Sequence, residues 1–136
     1  MDEKNRLLGW GKNYHRQIEQ DAVFSINTPI FVRYFKENDI QVSFVNCGYT
    51  HSLVIDTDDN CYLFGSNEHG KCGVQVSSPF KVNDVINDGV IEGGCGDAHT
   101  VLLTKSNQVI TMGSNCSRQC SSILTDNEDV KFPYIV

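Results

Sequence analysis

The chain has 136 residues and 40% hydrophobic content, enough to build one domain with a packed core and too apolar for a disordered segment. Its net charge of −6 repels phosphate, which argues against a broad nucleic-acid-binding face. The start, MDEKNRLLGW, lacks the apolar run of a secretory signal, and no stretch has the length of a membrane span, so no membrane partner is expected and the chain reads as intracellular, cytoplasmic or nuclear.

In chain order, the first marker is LLGWGKN, Leu7 to Asn13, followed by a proline marker, PIFV, Pro29 to Val32. A polar insert, Tyr34 to Asp39, comes next and is expected to offer a contact surface. QVSFVNCG (41–48), HSLVID (51–56) and CYLFG (61–65) then read as short strands, with TDDN (57–60) as the hairpin turn between the last two. A second proline marker, PFKV, begins at Pro79. The same series returns as GVIEGGCG (89–96), HTVLLT (99–104), the turn KSNQ (105–108), VITMG (109–113) and PYIV from Pro133. Cys47 and Cys95, Gly48 and Gly96, His51 and His99, Gly65 and Gly113, and Asn67 and Asn115 each stand 48 residues apart. Gly11 and Asn13 give the corresponding pair in the first, partial copy. No segment has helical periodicity beyond a turn or two.

A period of this length fixes the architecture. Four short antiparallel strands per unit, the fourth opened by a proline that cannot donate to an inner ladder, are the sign of β-propeller blades. The expected fold is all-β, a partial, open β-propeller of about two and a half four-stranded antiparallel blades: a half blade over 1–32, a blade over 40–82 and a blade over 86–136. Asp59 and Asn107 fall where the hairpin turns want a left-handed residue.

These motifs resemble the repeat of the regulator of chromosome condensation family. The pattern runs from Gly48, His51 and Ser52 through Phe64, Gly65 and Asn67 to Gly70, Cys72 and Gly73, and again from Gly96, His99 and Thr100 through Gly113 and Asn115 to Arg118 and Cys120. The resemblance implies a ring of seven such blades, of which this chain holds fewer than three. It also implies glycine where Arg16, Arg118, Asp59 and Asn107 stand, so these positions must accept strain or alter their turns. An arc that does not close leaves apolar flanks bare. The chain is therefore expected to be a piece of a larger molecule, to assemble with copies of itself, or to sit clamped on a partner.

A catalytic residue is needed once, whereas His51 and His99 recur, so they read as buried histidines bonded to a neighbouring strand or blade. Gly11, Asn13, Gly48, Gly65, Asn67, Gly96, Gly113 and Asn115 likewise read as structural repeat positions, and no catalytic residue is expected. The six cysteines read as reduced thiols, with Cys72 and Cys120 filling an apolar site of the repeat. No cofactor is expected. A weaker alternative places zinc on His69, Cys72, Cys116 and Cys120, whose spacings suit two half-sites. EGGCG lacks the Lys-Ser/Thr of a phosphate loop and reads as an inner strand, while the basic residues are scattered and form no stripe.

The candidate interaction loops are 14–24, 68–78 and 116–128, with Tyr14, His15, Arg16, Glu68, His69, Lys71, Ser117 and Arg118 as contact residues. The function expected is a non-catalytic protein–protein interaction module docked on a protein partner or a large macromolecular assembly. The alternative implied by the resemblance is guanine-nucleotide exchange on a Ran-like small GTPase.

Overall fold

The structure is a computed structural model describing residues 1–21, 24–73, 79–123 and 128–136. Among these residues it holds a two-stranded sheet and two four-stranded sheets, all antiparallel. The half blade pairs β1 (Leu8–Lys12) with β2 (Ser25–Phe31). The second blade runs β3 (Val42–Cys47), β4 (His51–Asp56), β5 (Cys61–Gly65) and β6 (Phe80–Lys81) in spatial order. The third repeats it with β7 (Val90–Cys95), β8 (His99–Thr104), β9 (Val109–Gly113) and β10 (Val130–Ile135).

The repeat extends to register. Gly9 pairs with Ile30, Leu63 with Phe80 and Thr111 with Tyr134, the same repeat positions each time. Each proline marker lies in or immediately before the outermost strand of its sheet, the position where a missing N–H costs least.

The turns carry the strain that the departures from glycine require. Arg16, Asp59, Asn107 and Arg118 have φ of 58°, 63°, 61° and 60°. At Asp59 the turn is held by the preceding Asp56. Its carboxylate accepts from the backbone N–H groups of Asp58 and Asn60, the Asn60 amide and the Tyr62 hydroxyl. In the third blade Thr104 takes that place, its hydroxyl accepting from the Gln108 N–H.

The insert at 34–39 is helical at its start and leaves Lys36 to Asp39 exposed. Arg33–Glu37 forms a short helix, α1, and Phe35 at its centre is 1% exposed, packed edge-on against Tyr62. Five residues show too little period to announce a helix, but one buried aromatic anchors it. A second single turn, α2 (Asn83–Ile86), follows β6. There the Asn83 side chain accepts from the Cys61 N–H and donates to the carbonyls of Asp59 and Asp88.

Two cores lie between the sheets. Leu7, Val32, Phe35, Val42, Val54, Tyr62 and Phe64 join the half blade to the second blade. Leu53, Ile55, Leu63, Phe80, Val82, Val90, Leu102, Ile110 and Met112 are among those joining the second to the third.

Candidate interaction surface

β4 lies between two neighbours and all six of its residues are buried. β8 has a neighbour on one side only. Thr100, Leu102 and Thr104 are buried, while His99, Val101 and Leu103 alternate with them and remain half-exposed. One flank of the third blade is therefore uncovered, and its apolar side chains reach solvent.

The other uncovered surface belongs to the half blade. Trp10, on β1, is 61% exposed, although its counterparts Phe64 and Met112 are buried against the preceding sheet. Beside it a groove of about 280 Å³ runs between β1 and the second blade, lined by Gly9, Trp10, Ile18, Val45, Ser52 and Val54 among others. β2 occupies one edge of β1, and the groove lies along the other side.

The repeat positions hold this frame together. The His51 ring is 1% exposed, with Nε2 2.9 Å from the Thr100 hydroxyl of the next blade. That hydroxyl donates to the Lys71 carbonyl at 2.7 Å, so His51 Nε2 carries the proton and donates. One blade earlier, Ser52 donates to the Gln17 carbonyl in the same way. Burial first, then the charge of Lys71, lower the His51 pKa to about 4. Gly48 and Gly96 leave room for the imidazoles: a Cβ at either would lie 2.2 Å from a ring carbon of His51 or His99. Gly65 and Gly113 sit at φ of 111° and 112°, and a Cβ there would strike the carbonyl of Thr50 or Ala98. Each asparagine closes the loop that follows it. Asn13 accepts from the N–H groups of Ile18 and Glu19, Asn67 from Cys72, and Asn115 from Cys120 and Ser121.

Tyr14, His15, Arg16, Glu68, His69, Ser117 and Arg118 are exposed. Tyr14 stacks on Phe24 at 5.3 Å, and His69 pairs with Asp129 at 2.9 Å. Lys71 is a correction to the expected contact set. It is 2% exposed, wedged between blades with Nζ donating to the Thr50 hydroxyl. The glycines on either side of it carry the tight turn, and that turn folds the intervening side chain inward. Residues 22–23, 74–78 and 124–127 of the three loops lie outside the described residues.

His69, Cys72, Cys116 and Cys120 do not converge. The thiols of Cys72 and Cys120 donate to the carbonyls of Ser66 and Ser114 inside their own loops, and burial pushes them up to about 12 and about 11. Cys116 is exposed on a different loop from His69. Among the described residues no three His, Cys, Asp or Glu side chains gather as a metal site. Sequence reading missed the buried Glu19, whose carboxylate accepts from the Arg33 N–H, because nothing in its spacing distinguishes it from a solvated charge.

Comparison with known proteins agrees with this geometry. Family models described as the regulator of chromosome condensation (RCC1) repeat match residues 4–55, and residues 42–71 and 90–119. The human probable E3 ubiquitin-protein ligase HERC6 is 32% identical over 127 residues, 88% of this chain and 12% of the ligase. The human X-linked retinitis pigmentosa GTPase regulator is 36% identical over 120 residues, 82% of this chain and 12% of that protein. Among solved structures, yeast RCC1 (Prp20) bound to Kap60 superposes with a TM-score of 0.73 at 16% identity, over 96% of this chain and 33% of that one. Human WBSCR16 does so with a TM-score of 0.71 at 21% identity, over 95% of this chain and 35% of that one. The chain thus spans about an eighth of those sequence relatives and about a third of those structures. No helix among the described residues is long and apolar enough to cross a membrane. The two blades, the half blade and the recurring Gly, His and Asn positions, together with these matches across most of its length, place the chain in the regulator of chromosome condensation repeat family.

Proposed function

We propose that this chain is a non-catalytic, intracellular protein–protein interaction module that docks on a protein partner or larger assembly through its uncovered flanks. The observation that carries this reading is the contrast between β4, buried on both faces, and β8, buried on one. Trp10, Val101 and Leu103 give the uncovered flanks an apolar character, and extended apolar faces of that kind are interaction surfaces. Sedimentation of the purified chain with and without a hydrophobic dye tests it. Self-association, or strong dye binding, is expected, and a monodisperse monomer with low dye binding would overturn it.

A second reading is exchange on a Ran-like small GTPase. It is favoured by the likeness to yeast Prp20p, whose structure is described with its binding properties to Gsp1p and histones. Labelled GDP release from such a GTPase decides it, and no acceleration at micromolar protein removes it.

A further inference from the structure

Basic residues that are scattered along the sequence meet in the fold beside α1. The Arg6 guanidinium carbon lies 4.3 Å from the Phe31 ring centroid, and Lys36 Nζ lies 5.5 Å from it. One ring therefore holds two cations that repel each other. Lys4 joins them at a pocket of about 110 Å³, lined by Lys4, Arg6, Phe35, Lys36, Asp39 and Ile40 among others.

The fold holds these cations in place. Asp2 accepts from the backbone N–H groups of Lys4 at 3.1 Å and Arg6 at 2.9 Å, and from Arg6 Nε at 2.7 Å. That carboxylate is spent on its own turn and aims the arginine. Asn5, at φ 57°, ties the turn to the second blade, its carbonyl accepting from the Val42 N–H. Lys36 follows Phe35 on α1, and Phe35 is 1% exposed and fixes the helix beneath the pocket. The chain has 17 acidic residues against 11 Lys and Arg. Even so, among the described residues neither Lys4 nor Lys36 has an ion-pair partner.

We propose that this pocket is an anion site that takes the phosphate of one phosphorylated side chain on a partner protein. A phosphomonoester brings a charge of about −1.5 to −2 and three acceptor oxygens, which matches two unneutralised lysines beside an arginine. A carboxylate brings half that charge. The pocket is well below the roughly 300 Å³ at which sites for whole small ligands begin, and Phe31 already carries two cations, so no nucleotide is accommodated. Ile40 and the Lys36 stem adjoin the cations and suit the carbon chain that bears the phosphate. Free phosphate gains nothing from them. Asp39 stands at the same pocket with φ of 52° and opposes the incoming charge. The site draws on the interaction reading above only for the existence of a protein partner, and it uses neither bare flank.

The probe is a fluorescein-labelled Gly-Ala-phosphoserine-Ala-Gly amide, titrated with the full chain at low salt and followed by anisotropy. A saturable rise is expected, weakened by added sodium chloride. Lys4→Gln and Lys36→Gln should each weaken binding about threefold, and Asp39→Asn, which tolerates the same backbone, should tighten it by a similar factor. All three positions are exposed, so these variants keep the fold. The serine peptide should not bind, and inorganic phosphate should displace the probe only at concentrations above the probe's own dissociation constant. The site is refuted by no saturation at millimolar protein, or by unchanged affinity in both lysine variants. It is refuted equally by an aspartate peptide that binds as tightly as the phosphoserine one, which would make it a carboxylate site, or by inorganic phosphate that competes on equal terms. Dye binding or self-association without phosphopeptide binding would leave the flanks as interaction surfaces and remove this site alone.

Discussion

His51 and Thr100, 49 residues apart in sequence, meet across the interface of the second and third blades, Nε2 to hydroxyl at 2.9 Å. The hydroxyl also donates to the Lys71 carbonyl, so one threonine serves two groups of the preceding blade. Removing it strands both. Thr100→Val keeps the shape and leaves a buried imidazole donor and a carbonyl without partners, which should cost about 1–3 kcal/mol. Thr100→Ser, the arrangement of the preceding blade, should retain most of the stability. Urea midpoints of the three proteins check this, and equal midpoints for Thr100→Val and the parent would refute the clasp.

The same ring makes stability depend on pH. Burial and the Lys71 charge hold His51 neutral, with its pKa lowered from 6.5 to about 4. Between those values the unfolded chain binds a proton that the folded chain refuses. The contribution of neutral His51 is complete above about pH 6.5 and is lost as pH falls toward 4, by at most about 1.4 kcal/mol per unit. Asp2 and Asp88, held near 2 by hydrogen bonds from Arg6 and Ser106, lose their contribution only in a lower window, below about pH 4. The urea midpoint should fall between pH 7 and pH 4.5 in the parent and much less in His51→Gln, which keeps a donor for Thr100 and cannot titrate. A parent midpoint that does not move over this range would show that His51 protonates freely in the folded chain.

The blades, their strands and the structural place of His51 were legible because the chain states its pattern more than once. A position filled alike in successive copies marks packing, and period-two apolar runs bounded by turn residues mark strands. Lys71 was misjudged because a lysine between two glycines looks like a loop tip, whereas the tight turn folds it inward. Phe35 was missed because an anchoring contact to Tyr62 is a tertiary fact with no local period. The β1 groove was only partly legible. Counting strands revealed a half blade, but the shape of Gly11 required coordinates.

Gly11 and Gly113 offer a direct measure of what a neighbouring strand adds. Their φ angles, 106° and 112°, give alanine nearly the same backbone strain. Only at Gly113 does a Cβ meet an obstacle, the Ala98 carbonyl at 2.4 Å. Gly113→Ala should therefore destabilise by at least about 1 kcal/mol more than Gly11→Ala in urea unfolding, within the range for overpacking. Equal losses would mean that strain alone accounts for both.

A compensated pair distinguishes the half blade from its neighbours. Gly9 stands where the other sheets have Leu63 and Thr111, and Ile18 stands where they have Cys72 and Cys120. A Cβ on Gly9 would lie 2.4 Å from Ile18 Cγ2, so the bulk moved from strand to loop while the site stayed filled. Gly9→Thr alone should overpack, and Ile18→Cys alone should leave a void, each costing about 1–3 kcal/mol. The double variant recreates the Thr111–Cys120 pairing of the third blade, where the threonine hydroxyl donates to the Cys120 carbonyl. A thermodynamic cycle by urea denaturation should show the double variant losing less than the sum of the singles by about 1 kcal/mol or more. Strict additivity would mean that the two positions do not share one packing site.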